Sequence, residues 1–227
     1  MGYLLLEGGA EFGGGMREPD LKAIELAGGF DAPIRIIPTA AAPDNNHRRA
    51  GNNGTRWFQS LGAKDVLSVP LIDKPSANDE SIAKSLRSAK LIYMLGGFTG
   101  YLAETLEGSD AWDAVLETYQ AGTVVAGSSA GAMVMCEFYY DPSKGQVVNG
   151  LNLVPNSLVL PHHNTFGKSW ASRLLEISPG TLIGIDEQTG MIDNGSSEIW
   201  SVLGRGAVTL YRNGQTEVYQ TGNSLSL

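Results

Sequence analysis

Short, mostly apolar runs recur along the chain with glycine, proline or aspartate soon after them: 3–6, 34–37, 66–69, 91–95, 123–126, 157–160 and 182–185. Continuous rather than alternating hydrophobicity over four or five residues predicts strands buried on both faces. Between them the apolar residues move to helical spacing. Trp112, Val115, Leu116 and Tyr119 follow Ser109, a residue type suited to capping a helix N-terminus, and Trp170, Leu174 and Ile177 repeat the pattern later. Strand and helix therefore alternate, which predicts an α/β fold: a mostly parallel central sheet with helices on both faces. After Glu187 the texture changes. The runs 198–203, 207–211 and 215–219 are separated by Gly204-Arg205-Gly206 and Asn213-Gly214, and read as antiparallel hairpins forming the sheet's C-terminal edge.

Composition narrows the class. Among 227 residues 42% are hydrophobic and 18% charged, enough for one sizeable core, and no linker with a change of composition divides the chain. One domain spanning 1–227 is expected. The net charge of -8 argues against a nucleic-acid partner, which would demand clustered lysine and arginine. The opening apolar run lacks a basic flank and is too short for an export signal, and no stretch approaches the roughly 20 apolar residues of a membrane span. A single cysteine, Cys136, leaves no intramolecular disulfide. The expectation is a cytoplasmic protein with no membrane partner. A homodimer is one option the sequence leaves open.

The candidate chemistry centres on Gly127-Ser128-Ser129-Ala130-Gly131, placed between a predicted buried strand and small, helix-compatible residues. Gly-x-Ser-x-Gly in that setting is the context of a nucleophile elbow, a sharp strand-to-helix turn that lifts a serine hydroxyl into a cleft. The glycine-rich stretch 8–15 lacks the Gly-Lys-Ser/Thr ending and the Gly-x-Gly-x-x-Gly spacing of nucleotide loops, and reads as a flexible loop beside a binding cleft. A serine nucleophile needs a base, and there are three histidines. His47 sits in a polar helix-start context. His162 and His163 follow a predicted strand, at the carboxyl end where open α/β sheets place their sites. Adjacent side chains on extended backbone point apart, so one of the two faces Ser129. The same reasoning applies to Asp186 and Glu187 as the carboxylate orienting the base. No metal site is expected, since no His-Glu-x-x-His or cysteine cluster is present. Cys136, in the apolar run Met133-Val134-Met135, reads as a packing residue.

The order serine, histidine, acid differs from that of α/β-hydrolases. Leu95-Gly96-Gly97-Phe98-Thr99, Gly127-Ser128-Ser129-Ala130-Gly131-Ala132, Leu160-Pro161-His162-His163 followed by Arg173-Leu174-Leu175, and Gly184-Ile185-Asp186-Glu187 together resemble the serine peptidase family of dipeptidase E and cyanophycinase. The resemblance runs from the first strand to about Glu187. It implies a fold like that of class I glutamine amidotransferase domains, with no cofactor. By it Ser129 is the nucleophile, His163 the base, Glu187 the acid, and the N–H groups of Gly97 and Ala130 the oxyanion hole. Cyanophycinases carry Gly-Gly-Asp-Gln and an arginine-rich stretch after the histidine; this chain has Phe98-Thr99 and then Asn164-Thr165-Phe166-Gly167-Lys168-Ser169, which argues against cyanophycin as substrate. Phe98, Thr99 and Arg173 are the candidate substrate-binding residues, Arg173 as an anchor for a substrate carboxylate or as plain helix surface. The leading expectation is a serine peptidase that hydrolyses small peptides as a dipeptidase E-like exopeptidase. The alternatives are a cyanophycinase-like enzyme, an amidase or esterase with the same triad, and a non-catalytic binding module.

Overall fold

The computed structural model describes residues 1–196 and 198–227. Its strands are β1 (Tyr3–Glu7), β2 (Ile34–Ile37), β3 (Val66–Ser68), β4 (Leu91–Met94), β5 (Val124–Ser128), β6 (Cys136–Asp141), β7 (Gln146–Asn149), β8 (Val154–Leu160), β9 (Thr181–Ile185), β10 (Thr189–Asp193), β11 (Ile199–Gly204), β12 (Ala207–Arg212), β13 (Gln215–Gln220) and β14 (Ser224–Ser226). The helices are α1 (Arg17–Leu26), α2 (His47–Leu61), α3 (Lys74–Ala77), α4 (Glu80–Arg87), α5 (Thr99–Leu106), α6 (Asp110–Gln120), α7 (Ala130–Met135) and α8 (Lys168–Ile177). Among the described residues no helix is long and apolar enough to cross a membrane.

The expected α/β architecture is present, but the strands divide between two sheets. The larger has the order β14-β11-β10-β1-β5-β4-β2-β3; β1, β5, β4, β2 and β3 are parallel, and β10, β11 and β14 extend it antiparallel. The smaller, β13-β12-β9-β8-β6-β7, takes the predicted strands at 157–160 and 182–185 together with the hairpin β12–β13.

Burial explains the continuous apolar strands. Leu4 and Leu6 of β1 join one core with Val125, Ile92 and Met94, while Leu5 joins another with Val124, Ala126, Leu91 and Tyr93. Successive side chains enter opposite faces, so a strand covered on both sides has no polar position to spare. One face is covered by Ala23 and Ile24 of α1 and Phe58 and Leu61 of α2. The other packs on α4 to α7 and on the inner face of the smaller sheet through Val159, Ile183, Val208 and Leu210. The outer face of that sheet is closed by Ala171 and Leu174 of α8. The carboxyl ends of β4, β5, β8 and β9 thereby meet around one cleft.

Candidate active site

Ser129 follows β5 directly and caps α7, with φ 49° and ψ -110°. A β-carbon residue in that region is strained, and the surroundings hold it there. Its N–H donates to the Glu7 carbonyl (3.0 Å), and its carbonyl accepts the N–H of Met133 (2.9 Å), closing the first turn of α7. The small residues around it are required by contact. A Cβ on Gly127 would lie 2.4 Å from the backbone of Gly131, and one on Gly131 would lie 2.3 Å from the Met94 carbonyl oxygen. Strand, elbow and helix thus approach more closely than any side chain allows.

The Ser129 hydroxyl lies 3.1 Å from Nε2 of His162, whose Nδ1 lies 2.8 Å from Oε1 of Glu187. The expectation put His163 at Ser129; the histidine that lies there is His162. His163 is buried and turned away: its Nδ1 is 3.3 Å from Asp186, and its Nε2 is 2.8 Å from the Tyr211 hydroxyl. The physical reason is the backbone at His162, which is left-handed (φ 53°, ψ 36°) and opens a π-turn over His163–Gly167. The chain does not leave β8 extended. The two histidines do part, one into the cleft and one into the core, but through this left-handed turn rather than by the alternation of an extended strand. Glu187 and not Asp186 faces that histidine; Asp186 accepts the N–H of Ala207 (3.0 Å) beside its contact to His163.

Several residues that the sequence reading passed over hold this arrangement. The Gly8 carbonyl accepts the His162 N–H (2.7 Å), and the Gly9 carbonyl accepts that of Gln188 (3.1 Å). Gly9 has φ +116°, and a Cβ there would lie 2.3 Å from the imidazole Cε1. The stretch read as a flexible loop is a brace between the His162 and Glu187 segments. Asn164 Oδ1 accepts the Glu187 N–H (2.9 Å), and the Thr165 hydroxyl reaches Oε1 of Glu187 (3.4 Å). Phe166 stacks on the His162 ring, centroid to centroid 4.7 Å. Beneath the elbow, the buried Glu7 carboxyl accepts a hydrogen bond from Tyr93, and Asp20 accepts one from Trp57 Nε1 (2.7 Å). Glu7 Oε1 and Asp20 Oδ1 have no other donor among the described residues. Burial, then each carboxylate's neighbour, pushes Glu7 well above the usual range; burial pushes Asp20 up to about 7. Each carboxyl acts on the other in this buried setting, which favours a proton held on the pair over two negative charges.

Gly97 (φ +140°) lies beside the elbow; a Cβ there would meet the Ala40 carbonyl oxygen at 2.3 Å. Ala130 is the first residue of α7, so its N–H is one of those a helix start leaves without an intrahelical acceptor. A cavity of about 370 Å³ opens at Ser129, with Thr99 on its wall. Phe98 is exposed and borders a neighbouring depression with Glu104 and Lys144. Arg173, read as a carboxylate anchor or as helix surface, does not line the Ser129 cavity. Its guanidinium lies over the Tyr140 ring (5.6 Å) and donates to the Gly145 carbonyl (3.4 Å). Cys136 is fully buried and its thiol is pushed up to about 12 by burial, as suits a packing residue.

Comparison with known proteins places this geometry in a family. A solved structure of a peptidase from an acI-B1 actinobacterium superposes with a TM-score of 0.90 at 30% identity, covering 100% of this chain and 97% of the other. A putative peptidase E protein from Listeria monocytogenes EGD-e shares the fold at a TM-score of 0.64 and 20% identity, over 98% of this chain and 100% of its own. In sequence, the cyanophycinase of Geminocystis herdmanii (strain PCC 6308) is 29% identical over 95% of this chain and 82% of its own length. The model of peptidase family S51 matches residues 4–198. The chain belongs to peptidase family S51 and is a serine peptidase.

Proposed function

We propose that the chain hydrolyses short peptides from an end, using Ser129, His162 and Glu187 as a triad. The observation that carries the reading is the pair of contacts Ser129 Oγ to His162 Nε2 (3.1 Å) and His162 Nδ1 to Glu187 (2.8 Å). Nucleophile, base and orienting carboxylate are each within hydrogen-bond reach of the next. Nε2 accepts the Ser129 proton as Oγ bonds to the peptide carbonyl carbon, and Glu187 stabilises the imidazolium so formed. The N–H groups of Gly97 and Ala130 hold the oxyanion. The C–N bond then breaks and the amine leaves with the proton from Nε2. Water gives a proton to Nε2 and its oxygen to the acyl carbon, and the acid departs as Ser129 recovers its proton.

Two features support action on short peptides. The cavity at Ser129, about 370 Å³, is of a size for one residue and its immediate neighbours rather than for an extended chain. Phe98-Thr99, where cyanophycinases carry Asp-Gln, makes cyanophycin the less favoured substrate. The test is mass-spectrometric analysis of a mixture of di- and tripeptides and of long, terminally blocked peptides. Short peptides are expected to be consumed, and Ser129→Ala to lower turnover by a factor on the order of 10³ or more. Efficient cleavage within blocked peptides would overturn the preference for chain ends; equal activity in the variant would overturn the mechanism.

A further inference from the structure

The cavity at Ser129 is walled by Met133, Tyr140, Val159, Leu160, Trp170 and Leu174, and among the described residues its titratable lining side chains are the Tyr140 phenol and His162. Val159 and Leu174 are at most 1% exposed and anchor the inner wall in the core, while Phe166 and Trp170 form its exposed side. Tyr140 and Trp170 meet edge to face with ring centroids 5.3 Å apart, setting two aromatic planes at the mouth. The Thr99 hydroxyl on the cavity wall is turned onto the Met133 sulfur (3.6 Å). Among the described residues no aspartate, glutamate, lysine or arginine lines the cavity itself. Arg173 is held at the Tyr140 ring and Gly145, and Lys144 is paired with Glu104 (2.9 Å) in the adjoining depression.

From this lining we infer that the enzyme selects a large apolar or aromatic side chain on the residue whose carbonyl Ser129 attacks. The inference rests on the serine-peptidase reading and adds the substrate class to it. The cavity begins at Gly97, on the oxyanion side of the nucleophile, and at Met133, one helical turn beyond Ser129. It is therefore the space nearest the acyl carbon's own substituent. An apolar cavity of about 150 Å³ already holds a benzene ring, so this one takes a phenyl or isobutyl group with part of the adjoining backbone. A carboxylate or ammonium placed there would lose its hydration and gain no opposite charge.

The test uses two kinds of serine-directed probe. A small alkyl fluorophosphonate, which carries no amino-acid side chain, should label Ser129 and so reports on the serine chemistry by itself. Diphenyl aminoalkylphosphonates form a Ser129 Oγ–P bond with loss of phenol, and can carry benzyl, isobutyl, methyl, carboxymethyl or aminobutyl side chains. The benzyl and isobutyl compounds should inactivate about 100-fold faster than the carboxymethyl and aminobutyl compounds, and at least tenfold faster than the methyl compound. Trp170→Ala, at a half-exposed position that leaves the core intact, should lower the benzyl-to-methyl rate ratio about tenfold. Equal rates across the series, or faster reaction of the carboxymethyl compound, with fluorophosphonate labelling intact, would overturn the inference while sparing the serine mechanism. Loss of fluorophosphonate labelling would overturn both.

Discussion

Asp20→Asn isolates the buried carboxyl pair beneath the nucleophile elbow. Glu7 and Asp20 are wholly buried, and Asp20 is pushed up to about 7 from an ordinary value of 3.8. Between those two values the folded protein keeps a proton that the unfolded chain has released. Stability from this source is therefore full below pH 4 and falls as the pH rises toward and past 7. Each retained proton corresponds to about 1.4 kcal/mol per pH unit, so from pH 5 to pH 7 the loss is on the order of 2–3 kcal/mol. An asparagine accepts from Trp57 Nε1 and can donate to Glu7 Oε1 without a titrating proton. Urea unfolding of both proteins at pH 5, 6, 7 and 8 reads the effect. The variant should be the less favoured at pH 5 and gain relative to the wild type by about 2 kcal/mol by pH 7, which for a urea slope of about 3 kcal/mol/M moves the midpoint by roughly 0.7 M. Because the comparison is a difference between two proteins, titrations remote from this pair cancel. A stability difference that is constant from pH 5 to pH 8 would refute the shared-proton argument.

Other consequences concern the triad and its supports. Glu187→Gln should lower kcat much more than it raises KM, because the carboxylate acts on an imidazolium formed only during attack, whereas Asp186→Asn should alter thermal stability more than kcat; steady-state kinetics and melting curves on both variants decide. Gly9→Ala places a methyl group 2.3 Å from the His162 ring at φ +116° and should reduce kcat by about 100-fold or more, with His162 displaced; wild-type kcat in that variant would remove the brace from the account. His163→Ala leaves the Tyr211 hydroxyl and Asp186 without their ring partner and should cost on the order of 1–3 kcal/mol in urea unfolding.

What the sequence made legible follows from how local each signal is. The elbow was readable because every requirement lies within five residues: Gly127 and Gly131 for close approach, Ser129 at the turn, a buried strand before and a helix after. Strand positions such as Leu4 to Leu6 were readable because burial on both faces leaves a continuous apolar run. The division into two sheets was not, since Leu158 and Leu182 are as apolar as Leu5 and nothing local states which sheet a strand joins. β6 was hidden because Cys136 continues the apolar texture of α7 without a glycine or proline to mark the change. The choice between His162 and His163 depended on a left-handed residue after Pro161, a conformation uncommon for any residue but glycine, with Gly9 making room for the His162 ring and Gly184 for the His163 ring from elsewhere in the chain. Gly184 is explained in the same way, a Cβ there falling 2.4 Å from the His163 ring.

The central claim is that Ser129 is activated by His162 and not by its neighbour. The direct measurement is the rate of fluorophosphonate attachment, located by peptide mass spectrometry, in the wild type, His162→Ala and His163→Ala, each confirmed folded by circular dichroism. The account requires the adduct on Ser129, a loss of rate of about 10³-fold or more in His162→Ala, and labelling in folded His163→Ala within a few-fold of the wild type. A folded His162→Ala that labels as fast as the wild type, or a His163→Ala that is folded and inert, would contradict it.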